Sequence, residues 1–154
     1  MGTHNPMQQS LIDSENAFFR MNVEAERLAS FKDWPFDGSA ACNPEKMAKA
    51  GFFHCPTQQE PDLVKCFVCL KELDGWEPTD DPMQEHRSHA SKCPFVTGNR
   101  CEEDMKMKDF WKLEAARQTC RATKLIDEIA AEFKQYAKEV RTEMEKLATT
   151  NANV

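Results

Sequence analysis

Cys66-Phe67-Val68-Cys69, then His86, then Cys93 constrain this chain more than any other feature. The spacing C-x2-C-x16-H-x6-C sets three thiols and an imidazole at intervals that close a tetrahedral shell around one zinc ion. A filled shell leaves no coordination position for water or substrate. The pattern therefore predicts a structural metal in a binding module and argues against a metalloenzyme. Spacing alone leaves the fourth ligand open. His86 and His89 lie three apart on one predicted helix face, and His86 is favoured; His54 and Cys55 are further candidates. Cys42, Cys101 and Cys120 have no partner at ligand spacing and read as packing or surface thiols.

Seven cysteines in 154 residues could also suggest a disulfide scaffold. An odd count, a polar amino terminus and the paired C-x2-C favour a reduced compartment and metal binding instead. No apolar run is long enough to span a bilayer and no signal peptide is visible. Met1-Gly2 begins like a myristoylation signal, but Pro6 occupies the position that needs Ser or Thr.

The chain has two grammars. All 5 glycines and 8 prolines lie at or before Gly98, and the 56 residues that follow contain no helix breaker. Residues 1–98 carry 15 acids against 9 bases, a net of −6, while 99–154 carry 11 of each. An acidic compact half disfavours direct contact with nucleic-acid phosphate and favours a cationic partner. The expected organisation is α+β: a mobile segment over 1–23, a zinc domain over 24–98, and a long C-terminal helix over 99–150.

Within the zinc domain, Val23 to Phe31 reads as helix, and Trp34-Pro35-Phe36 as an aromatic core anchor beside a rigid turn. Asn43-Pro44-Glu45 starts a helix, with Asn capping and Pro in the first turn, and Gly51 ends it in left-handed geometry. Phe52 to Cys55, Val64 to Val68 and Leu70 to Leu73 read as three short strands, the last turning at Asp74-Gly75. Asp81-Pro82 starts the helix that carries Glu85, His86 and His89.

Two surfaces stand out. Between Lys71 and Arg87 lie six acids and no base, namely Glu72, Asp74, Glu77, Asp80, Asp81 and Glu85. Such runs are usually solvated faces. Here Leu73 and Trp76 sit among the carboxylates, and the run is held between the two halves of the metal motif. An extended basic peptide could add beside the third strand. In the tail, Ile126, Ile129, Phe133, Tyr136, Val140 and Leu147 recur at three-four spacing. A helix from Lys106 to Ala148 would run about 65 Å, against about 25–30 Å for the domain. Much of its apolar stripe must therefore find a partner.

Arg27-x-x-Ser30-Phe31-x-x-Trp34-Pro35, Ala48-x-Ala50-Gly51-Phe52, Cys66-x2-Cys69, Gly75-Trp76 and His86-x6-Cys93 together resemble the baculovirus inhibitor-of-apoptosis repeat, or BIR. Pro56-Thr57, Glu60-Pro61-Asp62-Leu63, and Lys71 to Pro78 narrow the resemblance to its survivin-type branch, as does one repeat followed by one helix with no RING domain. The resemblance implies a three-stranded sheet with short helices around one zinc, held by Cys66, Cys69, His86 and Cys93. It implies a non-enzymatic subunit of the chromosomal passenger complex, whose helix bundles with the inner centromere protein and borealin and so brings an Aurora kinase to centromeres, and later to the spindle midzone and midbody, with nuclear and cytoplasmic pools.

The repeat would read a histone tail that begins with a free alanine and carries phosphothreonine third. In that carry-over Leu73 and Trp76 hold the alanine methyl, and Asp74 and Asp80 accept from the ammonium. Lys71 and His89 face the phosphate, and Glu60 and Glu72 meet basic side chains. The alternative is an antagonist of caspases, or of alanine-starting peptides.

Three positions depart from the branch. Asn43 stands where relatives carry a phosphorylatable Thr, and Thr79 replaces an acid. Residues 98–107 lack the Phe and Leu of the homodimer contact, of which Phe19, Met107 and Phe110 remain.

Overall fold

The computed structural model describes residues 6–98 and 105–151. Cys101, and most of the segment expected to carry homodimer contacts, lie outside the described residues. The elements run α1 (Pro6–Arg20), α2 (Glu24–Ala29), α3 (Pro44–Lys49), β1 (Phe52–His54), β2 (Val64–Cys66), β3 (Glu72–Leu73), α4 (Pro82–His89), α5 (Pro94–Gly98) and α6 (Met107–Asn151). The three strands form one antiparallel sheet in the order β1-β2-β3. The chain divides into two compact units, Met1–Arg117 and Gln118–Val154.

The punctuation read from the sequence acts as expected. Asn43 accepts the Lys46 amide at 3.0 Å and caps α3, and Asp81 accepts the Gln84 amide at 2.8 Å and caps α4. Each places a side-chain oxygen over first-turn amides that have no partner within the helix. Gly51 ends α3 at φ +87°, where an L side chain is strained. A Cβ there would also lie 2.7 Å from the Phe95 ring, so α5 packs against the bare backbone.

Three details differ from the sequence reading or add to it. The segment over 1–23 includes the 15-residue helix α1. Its end is fixed by Arg117, whose guanidinium lies 4.6 Å from the Phe18 ring centroid and donates to the Phe18 carbonyl at 2.9 Å. The partners are 99 positions apart, so no local pattern signals the contact. Second, the first compact unit runs to Arg117, so the opening turns of α6 belong with the zinc domain. Third, β2 stops at Cys66 and β3 spans only Glu72–Leu73. The intervening residues form a knuckle in which Leu70 takes φ +60° and donates its amide to the Cys66 carbonyl. Helix α5, which has little sequence of its own to announce it, was not anticipated.

Phe31, Trp34, Met47, Phe52, Phe67, Val68 and Trp76 form the core. Arg27 is buried among them at 2% exposure. Its guanidinium donates to the carbonyls of Ala48, Met21 and Asn22 and lies 4.4 Å from the Phe67 ring centroid. Three carbonyl acceptors and an aromatic face replace the water that a buried cation loses.

Candidate metal centre and peptide cleft

Cys66, Cys69, His86 and Cys93 bring their ligand atoms within 4.8 Å of one another. Cys66 ends β2, Cys69 lies in the knuckle that follows, His86 is on α4, and Cys93 lies just before α5. Cys66 Sγ and Cys93 Sγ are 3.9 Å apart, and Cys69 Sγ lies 3.6 Å from His86 Nε2. Ligands on a tetrahedral zinc place two sulfurs about 3.8 Å apart and sulfur and nitrogen about 3.6 Å apart. The sulfur separation is far beyond a disulfide bond of about 2.05 Å. His86 Nδ1 sits 2.8 Å from the Ala50 carbonyl oxygen and donates to it. That bond leaves Nε2 as the lone-pair atom facing the sulfurs.

Burial pushes the Cys66 thiol up, reinforced by Cys69 and Cys93. Hydrogen bonds from Cys66 and Cys69 pull Cys93 far down despite its burial. Burial works against a charged His86, but the Cys69 and Cys93 sulfurs and the Ala50 carbonyl outweigh it and raise its pKa to about 9. A divalent ion at the centre would be coordinated by all three sulfurs as thiolates and by the Nε2 lone pair, in place of a proton on the ring. The residues fit zinc, and four protein ligands leave no open position.

The second site is a cleft lined by Leu73, Asp74, Gly75, Trp76, Asp80, Glu85 and His89, with an empty volume of about 360 Å³. Five of the eight residues assigned to a peptide groove from the sequence share this lining. Glu60, Lys71 and Glu72 lie outside it, and Glu72 pairs with Lys65 at 2.7 Å across the β2–β3 ladder. Trp76 is a core residue with its ring edge-on to Phe52, which fixes one apolar wall. Asp80 accepts the Glu77 amide at 2.8 Å, so its loop holds the carboxylate at the rim. Glu85 Oε2 lies 3.5 Å from His89 Nε2, one turn along α4. Glu85 is part of the acidic run but has no role assigned from the sequence; four residues before His89, it shares the face of α4 that lines the cleft.

In the second compact unit, Ile126, Ile129, Phe133, Tyr136, Val140 and Leu147 are all exposed, from 40% at Val140 to 71% at Phe133. Leu125 and Met144 are exposed with them. These residues recur on one side of a helix of 45 residues, about 68 Å long. Among the described residues no helix is long and apolar enough to cross a membrane.

The family model of the Inhibitor of Apoptosis domain, BIR, matches residues 27–97. Baculoviral IAP repeat-containing protein 5 of Mus musculus is 47% identical over 130 residues, 84% of this chain and 93% of that protein. The chain belongs to this family, the survivins. Baculoviral IAP repeat-containing protein 5.2-B of Xenopus laevis is 46% identical over 129 residues, 84% of this chain and 82% of that protein. The solved DIAP1 BIR1 domain bound to a Grim peptide matches with TM-score 0.45 at 32% identity, covering 53% of this chain and 77% of that one.

Membership accounts for the metal centre directly: the Cys3His cluster is typical of a BIR zinc site. The geometry selects between the two histidines, since His86 is the one buried among the thiols while His89 is exposed at the cleft. The survivin and BIR family is generally non-catalytic, in keeping with a four-ligand metal shell.

Proposed function

We propose that this survivin-family chain is a non-enzymatic adaptor of the chromosomal passenger complex. Its BIR domain reads a histone tail with a free N-terminal alanine and phosphothreonine at the third position. Its C-terminal helix bundles with helices of the inner centromere protein and borealin, carrying an Aurora kinase to centromeres in early mitosis and to the midzone and midbody later. The cleft carries this reading. Leu73 and Trp76 offer apolar surface for a methyl group. Asp74 and Asp80 line the same cleft as acceptors for an ammonium, and Glu85 adds a third carboxylate. Ionised acceptors strengthen such hydrogen bonds about twofold over neutral ones. His89 lines that cleft too, with exposed Lys71 just before β3, and both suit a phosphate. Glu60 and Glu72 are assigned to the tail's basic side chains, for which Glu72 must exchange its Lys65 partner.

Calorimetry tests the pocket. A free-amine phosphopeptide should bind, its acetylated form should not, and removing the phosphate should weaken binding. Equal binding by acetylated and free peptides removes the pocket assignment. Binding of the free amine with indifference to phosphate favours alanine-starting antagonist peptides instead. A pulldown from mitotic cells with and without residues 99–154 tests the assembly half, which requires the passenger subunits to be lost with the helix.

A further inference from the structure

Trp76 occupies a position that the sheet cannot hold. The β2–β3 ladder ends at Leu73, paired with Val64, and Gly75 then turns the chain at φ +74°. A residue beyond such a turn has lost its ladder partner, and a part-buried amide needs another. Asp62 supplies it: its Oδ2 accepts the Trp76 amide at 2.7 Å, across 14 residues. Asp62 lies in a loop with bonds of its own. The Thr57 and Leu63 amides both donate to the Glu60 carbonyl, and Cys55 donates to Leu63. The loop is also tied to the core, because His54 Nε2 donates to the Pro61 carbonyl at 2.8 Å. His54 is itself buried, stacked on Phe31 at 5.7 Å.

We infer that Asp62 is a positioning residue for the peptide cleft, setting the seat of Trp76 from outside the cleft lining. A charge-assisted bond to a backbone amide fixes the indole's point of attachment, and Trp76 is the wall against which a ligand methyl would pack. The inference rests on the peptide-reading proposal for its functional consequence, but not for its geometry.

The test uses the full-length, zinc-loaded chain. Asp62→Asn keeps an acceptor oxygen and should bind the free-amine phosphopeptide within about threefold of the parent, whereas Asp62→Ala should lose about tenfold or more, the scale of one buried amide left unpaired. Amide exchange at Trp76, read by NMR without any peptide, should quicken in Asp62→Ala and stay slow in Asp62→Asn. Should Asp62→Ala fail to fold, Asp62→Ser, too short to reach the amide, replaces it. Parent-like affinity and parent-like Trp76 exchange in the Ala or Ser variant overturn the inference. A parent chain that binds no peptide defeats the functional proposal alone, because the exchange measurement still decides whether Asp62 seats Trp76.

Discussion

The two compact units solve the same problem in opposite ways. Met1–Arg117 buries its own apolar residues, with Met47, Phe52, Val64 and Val68 sealed from water. A Cys3His cluster ties its knuckle to α4 and the α5 turn. Over residues 118–151 the second unit is helix, with its large apolar side chains exposed. The first carries the sources of its stability in its own sequence; the second leaves its apolar stripe exposed. Isolated helices are marginal in water because most helical stability comes from packing an apolar face. The difference means that metal, core and cap changes should act on the first unit alone, and changes to the stripe on assembly alone.

The largest effect should follow loss of the metal. Structural zinc sites hold roughly 10–16 kcal/mol of apparent binding energy, and in small domains that is folding energy. Cys69→Ala, or chelation, should release one zinc per chain and unfold the BIR domain. Metal analysis alongside a thermal melt checks this, and a cooperatively folded domain without zinc contradicts it. Helix-driven assembly with partner helices should persist in the variant to the extent that the two units are independent.

Next comes the stripe. Burying each large apolar side chain contributes roughly 1.5–3 kcal/mol, and a buried carboxylate in its place adds a further cost. Phe133→Glu with Val140→Glu should therefore abolish co-purification with the partner helices. Peptide affinity of the BIR domain should be unchanged. A double variant that still co-purifies breaks the comparison, because the stripe would then not be the interface.

What could be read from the sequence follows the range of the interactions. Ligand spacing, the caps at Asn43 and Asp81, the left-handed Gly51 and the stripe are local or periodic, and each is visible within a few residues or turns. What escaped depends on distant pairs. Arg117 meets Phe18 from the far side of the chain, so α1 looked unpatterned. Arg27 opens the motif that carries the resemblance, but its burial against Phe67 and three carbonyls is visible only in the fold. The strand lengths escaped for a different reason: Phe67 and Val68 have strand composition, but the metal knuckle takes them out of the ladder. For the cleft, Leu73, Asp74, Trp76, Asp80 and His89 came from the sequence. Glu85 and the bracing by Asp62 required the fold.

Gly51→Ala sharpens the comparison within the first unit. The new Cβ meets the Phe95 ring at 2.7 Å on a backbone at φ +87°. Phe95 cannot simply rotate away, because it packs edge-on against Phe67 and stacks near His86. Left-handed geometry costs an Ala about 1–2 kcal/mol and overpacking about 1–3 kcal/mol. The sum is a large fraction of the stability of a domain this size. The melting temperature of the zinc-loaded domain should fall steeply while tail assembly is untouched, and an unshifted melt would mean that α5 does not pack on Gly51.

The smallest effect lies at Asn43, where the family resemblance leads one to expect a phosphorylatable Thr. Its Oδ1 caps α3 through the Lys46 amide, and its Nδ2 donates to the Ala40 carbonyl at 3.1 Å. Removing a cap of this kind typically costs about 1 kcal/mol. For a domain of 60–100 residues that is roughly a 4–8 °C drop in melting temperature. Asn43→Ala should show that drop, with zinc content and partner assembly unaltered. Asn43→Thr should recover most of it, since a hydroxyl also accepts from a first-turn amide. The Thr variant also separates capping from added charge, because any change in assembly or peptide binding on its phosphorylation cannot come from the cap alone. A melt insensitive to Asn43→Ala would place the start of α3 under the control of the core at Met47 and Ala48, leaving the cap without measurable weight.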